Sequence, residues 1–286
     1  MRSRVASVLQ HLKGMTKRSR VENPAISNLS LEDMGLARMN ETSRVGLRDL
    51  VLGGYYQNET GEVYRGVTIT AEDVVVDVGC GSGGPLEFLS TRGANVIAVD
   101  VSNEVIAVAR ENIAGVGGVV DFRLATTQEI PVSSNFATRV VCMEVLEHVD
   151  DPEYSLSEMY RIGQSGALYV LTVPDAGAES IIGSAAGPSY FQKPNHIRII
   201  GRDEFENLVR GAGLEILEHT YNGFFNVFYL AMLMRRGHKD LKSEDGHLLR
   251  WAQLWNAMLD SSEGLEIKAM FDEFLPRNQI IVARKP

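Results

Sequence analysis

The stretch Val74-Val75-Val76-Asp77-Val78-Gly79-Cys80-Gly81-Ser82-Gly83-Gly84 decides how this chain folds. Its valines are β-branched and follow one another without polar alternation, the pattern of a strand covered on both faces. The glycines after them let the backbone turn tightly and leave no Cβ in the way of a ligand. Gly79, Gly81 and Gly84 also satisfy the spacing of a dinucleotide-binding loop, so the turn alone leaves two cofactor classes open.

Outward from that turn, short apolar runs alternate with helical segments. Strands are expected at Val74 to Val78, Val96 to Val99, Val119 to Leu124, Arg139 to Met143 and Ala167 to Val173. Helices are expected at Leu86 to Thr91, at Asn103 to Ile113 with Ser102 as cap, and at Pro152 to Ile162 with proline in the first turn. Repeated strand and helix units of this kind build an α/β domain with a doubly wound parallel sheet. A helix from Asp203 to Ala212, closed by Gly213, leads to a strand at Leu214 to Glu218, and Gln279 to Ala283 is the last strand. The long segment between those two strands carries Leu248, Trp251, Trp255, Met258 and Leu259 at helical spacing and is too apolar for disorder, so it reads as a helical lid.

Before residue 70, Leu31, Met34, Met39, Leu47, Leu50 and Val51 recur at helical intervals, with Ser30 and Asp33 as a possible cap; Gly53, Gly54 and Gly61 then mark a turn-rich linker. Tyr55, Tyr56 and Tyr64 of this linker either cover the glycine loop or serve surface or packing roles. The domain expectation is an N-terminal helical arm and cap over 1–70, a core over 71–220, the lid over 221–275, and a closing strand over 276–286.

The chain is 44% hydrophobic and 23% charged, ordinary values for a soluble globular protein. A formal net charge of -9 opposes phosphate backbones and disfavours nucleic acid as a partner. No run of about 20 apolar residues is present, which argues against a spanning helix. Cys80 and Cys142 read as small packing residues in a reducing compartment, and a cytoplasmic location is expected. Arg2, Arg4, Lys13, Lys17, Arg18 and Arg20 precede the first acidic residue; a docked or solvated amphipathic arm, a transit peptide and a membrane-surface contact all fit.

Asp100 ends the second strand, where a carboxylate can accept both hydrogen bonds of a ribose diol. Beyond it the sequence resembles the class I S-adenosylmethionine (SAM) dependent methyltransferases, especially those of the ubiquinone-biosynthesis O-methyltransferase kind, well over Asp73 to Asp175 and loosely elsewhere. The strongest match is Cys142-Met143-Glu144-Val145-Leu146-Glu147-His148-Val149-Asp150-Asp151-Pro152 after the fourth strand. Leu171-Thr172-Val173-Pro174 resembles the fifth strand of that family, and Leu275-Pro276 to Lys285-Pro286 its closing antiparallel strand. The resemblance implies a Rossmann-like, doubly wound, seven-stranded sheet with an antiparallel C-terminal strand. It also implies a SAM site at Asp77, Gly79, Gly81, Gly83, Asp100, Val101, Thr126, Thr127, Met143 and Glu144. The segment that normally gives an adenine-binding Asp reads Leu-Ala-Thr-Thr-Gln-Glu-Ile-Pro from Leu124 to Pro131, with Thr126 at that place, a departure from the family pattern.

Methyl transfer from a sulfonium is an in-line displacement, so the protein must align the nucleophile, exclude water and remove a proton. For a hydroxyl acceptor a neutral histidine or a divalent cation lowers the cost of the oxyanion. His148 is the candidate base and His196, in Pro194-Asn195-His196, a second candidate. Glu144, Glu147, His148 and His196 could together hold Mg²⁺ or another divalent cation, or serve only as hydrogen-bonding supports. The expected activity is O-methylation of a small, apolar or glycosylated metabolite, with N- or C-methylation as the near alternative. An NAD(P)-dependent oxidoreductase explains the glycines and Asp100 but leaves Glu144 to Pro152 and the last strand without a role. A non-catalytic methyltransferase-like partner would have no need of SAM.

Overall fold

The computed structural model describes residues 39–193, 195–237 and 245–286; the basic arm and the Ser30 and Asp33 cap lie outside them. Nine α-helices and ten strands occur among the described residues. The helices are α1 (Glu41–Leu52), α2 (Leu86–Ser90), α3 (Asn103–Asn112), α4 (Pro152–Ile162), α5 (Ala176–Ala186), α6 (Arg202–Gly211), α7 (Phe224–Arg235), α8 (Gly246–Leu259) and α9 (Ser262–Phe274). The strands are β1 (Tyr55–Gln57), β2 (Glu62–Tyr64), β3 (Val67–Thr68), β4 (Val74–Val78), β5 (Asn95–Asp100), β6 (Val120–Leu124), β7 (Ala137–Met143), β8 (Gly163–Pro174), β9 (Glu215–Asn222) and β10 (Asn278–Arg284). The caps are those the residue types suit: Ser102 accepts from the Val105 N–H at 3.2 Å, and Asp151 accepts from the Tyr154 N–H at 2.9 Å ahead of the first-turn proline.

The large sheet has the order β6-β5-β4-β7-β8-β10-β9, and β10 runs antiparallel to both of its neighbours. The other pairings, β4 with β5 and β7, β5 with β6, and β7 with β8, are parallel. Chain order therefore reverses between β4 and β7. Ligands of such sheets bind in the crevice at this reversal, beyond the carboxyl ends of the strands. Successive side chains of β4 enter opposite cores: Val76 and Val78 pack with Leu156, Met159 and Phe205, and Val75 packs with Val96, Val170 and Ile280.

The expected linker after α1 is instead a small antiparallel sheet, in the order β1-β2-β3 with Tyr55 opposite Tyr64. Its strands are two or three residues long, too short for alternation to show. It forms because Tyr55, Val63, Tyr64, Val67 and Ile69 bury against the same core as Val75 and Leu89.

Helices α7, α8 and α9 have their own core of Phe224, Phe225, Tyr229, Leu248, Trp255 and Leu259, to which Val45 of α1 adds. Lys268 is 4% exposed and lies 3.1 Å from Asp49 and 2.6 Å from Asp272, while the Trp255 Nε1–H donates to Asp49 at 2.7 Å. Removing one member of a buried ionic group leaves the others uncompensated. Asp49→Ala should therefore lower unfolding free energy by about 3–5 kcal/mol, read from denaturant midpoints. A loss below about 1 kcal/mol, the range of an exposed pair, would show that the group contributes no more than a surface ion pair.

Candidate active site

At the end of β4 the backbone takes positive φ at Gly79 (75°), Gly81 (52°) and Gly83 (94°), a region L side chains rarely enter. A Cβ on Gly79 would come within 2.4 Å of Val145 Cγ2, so this glycine is needed for close packing on the turn after β7. A Cβ on Gly81 would meet nothing within 4 Å, which leaves open space above the loop. The Gly81 and Ser102 N–H groups each donate to the Asp100 carboxylate at 3.0 Å, which ties the loop to the end of β5.

Asp77 is 2% exposed, and its Oδ2 finds no hydrogen-bond partner. Burial, and then the charge of Asp100, push its carboxyl up to about 7. Tyr56, held at a φ of 49°, stands close enough to Asp77 to feel its charge, and burial raises its phenol well above the usual range. Val101 is 70% exposed beside Asp100. Thr126 lines an open hollow of about 1170 Å³ with Leu124, Ile130 and Tyr154, whereas the Thr127 hydroxyl is engaged with Ser155 at 2.7 Å. Met143, half-buried, closes β7.

Glu144 has a φ of 57°, one of three non-glycine residues at positive φ among the described residues. Its N–H donates to the Thr172 carbonyl at 3.0 Å, the Thr172 hydroxyl donates to Oε1 at 3.2 Å, and Arg277 Nη2 lies 3.3 Å from Oε2. These contacts over-determine a conformation that costs about 1–3 kcal/mol by itself.

Donor atoms of Glu147, His148 and His196 lie within 4.8 Å of one another. Glu144 stands outside that group, its carboxylate drawn to Thr172 and Arg277. Glu147 is 1% exposed, and neither of its carboxylate oxygens has a hydrogen-bond partner. Burial, reinforced by Glu144, pushes its carboxyl well above the usual range. His148 Nε2 lies 3.8 Å from Glu147 Oε1, and its ring meets that of His196 edge-on at 4.8 Å. The segment bearing His196 is stitched to the turn after β7 by the Ile197 N–H, which donates to the Glu147 carbonyl at 3.0 Å.

Three residues that carry no motif complete the site. Glu179 of α5 is 1% exposed and holds His196 Nδ1 at 2.5 Å, and the Tyr190 hydroxyl donates to its other oxygen at 2.9 Å. Arg277 lies between Glu144 at 3.3 Å and Glu179 at 3.7 Å. Burial opposes the arginine charge, and those carboxylates more than offset it, so its pKa stays above the usual value.

Residues 76–171 match the family described as methyltransferase domain. Ubiquinone biosynthesis O-methyltransferase of Thiobacillus denitrificans is 31% identical over 166 residues, covering 54% of this chain and 72% of that protein. Its counterpart in Nitrosomonas europaea is 29% identical over 183 residues, covering 60% and 77%. Among solved structures, geranyl diphosphate C-methyltransferase of Streptomyces coelicolor A3(2), which contains Mg²⁺ and S-adenosyl-L-homocysteine, superimposes with a TM-score of 0.52 at 16% identity, covering 85% of this chain and 76% of that one. The cyclase SpnF superimposes with a TM-score of 0.51 at 19% identity over 86% and 93%. The chain belongs to the class I SAM-dependent methyltransferases, and SAM is its cofactor. The nicotinamide reading of the same glycines falls with that result. No helix among the described residues is long and apolar enough to cross a membrane.

The raised Asp77 carboxyl has a consequence for the ligand-free protein. Native Asp77 binds its proton more tightly than the unfolded chain does, so its contribution to stability is complete below about pH 4 and lost as pH rises through about 7. Asp77→Asn should therefore gain on the wild type as pH rises, by up to about 4 kcal/mol, in denaturation series from pH 4 to 8. A constant difference across that range would mean that the native carboxyl is not raised.

Proposed function

We propose that the protein transfers the methyl group of SAM to a hydroxyl oxygen of a small-molecule acceptor, activated at the group formed by Glu147, His148 and His196. The observation that carries this reading is the Glu147 carboxylate: a buried carboxyl with both oxygens unpartnered is costly, unless it is protonated or offset by a positive charge. Two imidazoles beside it supply neutral ligands. One carboxylate and two histidines suit Mn²⁺, Fe²⁺, Co²⁺ or Zn²⁺ better than Mg²⁺, which prefers oxygen ligands. A divalent cation held there would supply Lewis acidity that lowers the pKa of the acceptor hydroxyl.

In this reading the rest of the site binds and orients. Asp100 accepts the ribose hydroxyls, and its bonds from Gly81 and Ser102 pre-set its position. The bare backbone of Gly79, Gly81 and Gly83 admits the methionine moiety beside Asp77, whose unpartnered oxygen suits a positive group. Val101 and Thr126 border the adenine, Met143 and Glu144 lie toward the reacting end, and Thr127 acts through Ser155 rather than by direct contact. His148 Nε2 stands 3.8 Å from Glu147 Oε1, within the group that would meet the acceptor hydroxyl. Helices α7 to α9 serve as the lid that excludes water from an apolar or glycosylated acceptor.

Asp100→Ala should weaken SAM binding by about 2–4 kcal/mol by calorimetry, and Asp100→Asn, which keeps one acceptor, by less. Unchanged affinity in both would remove Asp100 from the cofactor site. Turnover should vanish after exhaustive chelation and return more fully with Mn²⁺, Co²⁺ or Zn²⁺ than with Mg²⁺, read as S-adenosylhomocysteine release from an accepted hydroxyl compound. Full activity after chelation would assign deprotonation to His148 alone.

A further inference from the structure

Glu179 lies outside every motif of the chain, yet its carboxylate is among the most buried acidic groups at the active end of the sheet, at 1% exposure. One oxygen meets His196 Nδ1 at 2.5 Å and the other accepts from the Tyr190 hydroxyl at 2.9 Å. The Arg277 guanidinium approaches at 3.7 Å. Glu179 is thus an anion fixed from three sides, with His196 as one of the three.

We propose that Glu179 is the positioning residue of the active centre, setting the tautomer and orientation of His196. A carboxylate can only accept. In the neutral ring the proton must therefore sit on Nδ1, and the one remaining lone pair is that of Nε2. A histidine so held can bind a cation or take a proton through Nε2 in a single orientation, and such outer carboxylates also raise the basicity of the ring they hold. Tyr190 and Arg277 act on Glu179, one step removed, by preventing its rotation and compensating its charge. Helix α5 thereby couples to the turn after β7, although no backbone pairing joins them. The inference rests on the proposed role of His196, but its test does not.

The direct measurement is a long-range ¹H–¹⁵N correlation spectrum of the imidazoles in the full chain, at a pH high enough for each ring to carry one proton. His196, assigned by loss of its signals in His196→Gln, should show a protonated Nδ1 and an unprotonated Nε2. In Glu179→Gln the amide can donate as well as accept, so the two tautomers should mix, and any turnover should fall about 10- to 100-fold with SAM affinity unchanged. Tyr190→Phe should shift the His196 signals less, because the carboxylate stays. A wild-type His196 protonated on Nε2 would overturn the inference without reference to any variant. So would an unaltered tautomer in a folded Glu179→Gln protein. A Nδ1-protonated ring in an enzyme indifferent to chelation would preserve the inference and reject only the cation.

Discussion

The backbone leaving β4 has to reverse within a few residues while staying bonded to β5, and the active end of the sheet depends on that constraint. Gly79 and Cys80 still donate to the Val99 carbonyl, and Gly81 turns its N–H to Asp100. Gly79 can carry no Cβ on this path, since Val145 fills the space beside it. The Asp100 carboxylate is consequently fixed by the loop, and the turn after β7 is fixed against the same loop through Val145. One bend positions the ends of three strands.

That arrangement gathers charge in a buried place. Asp77, Glu144, Glu147 and Glu179 lie at the carboxyl end of the sheet, with Arg277 as the compensating cation between two of them. Burial costs Asp77, Glu147 and Glu179 stability, and the site tolerates it only where a partner or a ligand offsets it. Glu144 and Glu179 have partners within the chain. Asp77 Oδ2 and both Glu147 oxygens lack a hydrogen bond, and burial displaces both carboxyls upward, in keeping with a site completed by bound groups. The ionic group of Asp49, Lys268 and Asp272 differs, because a buried lysine stands between its two carboxylates and fastens α1 to α9, while Trp255 ties Asp49 to α8.

Much of the fold was legible because the core strands are long apolar runs with helices at regular intervals. Boundaries moved by a few residues at most strand ends, and the caps at Ser102 and Asp151 follow residue type. The small sheet β1-β2-β3 was not legible, since strands of two or three residues carry no periodicity and form only through tertiary burial of Tyr55, Val63 and Val67. At the site, Glu147, His148 and His196 were readable as chemistry-bearing residue types, and their donor atoms lie within 4.8 Å of one another. Glu179 and Arg277 were not, because Glu179 sits in a helix of mostly small residues and Arg277 precedes the last strand; their proximity exists only once β10 inserts beside β8. Glu144 was readable as a cation ligand or a hydrogen-bonding support, and its positive φ and the approach of Arg277 set its carboxylate apart from the other three.

The most direct test of this account is a crystal structure of the protein grown with S-adenosylhomocysteine. The account predicts both ribose hydroxyls within hydrogen-bonding distance of Asp100 and the homocysteine chain running over Gly79 to Gly83 toward Asp77. A nucleoside bound elsewhere on the chain, or one whose ribose is held by a residue other than Asp100, would contradict it.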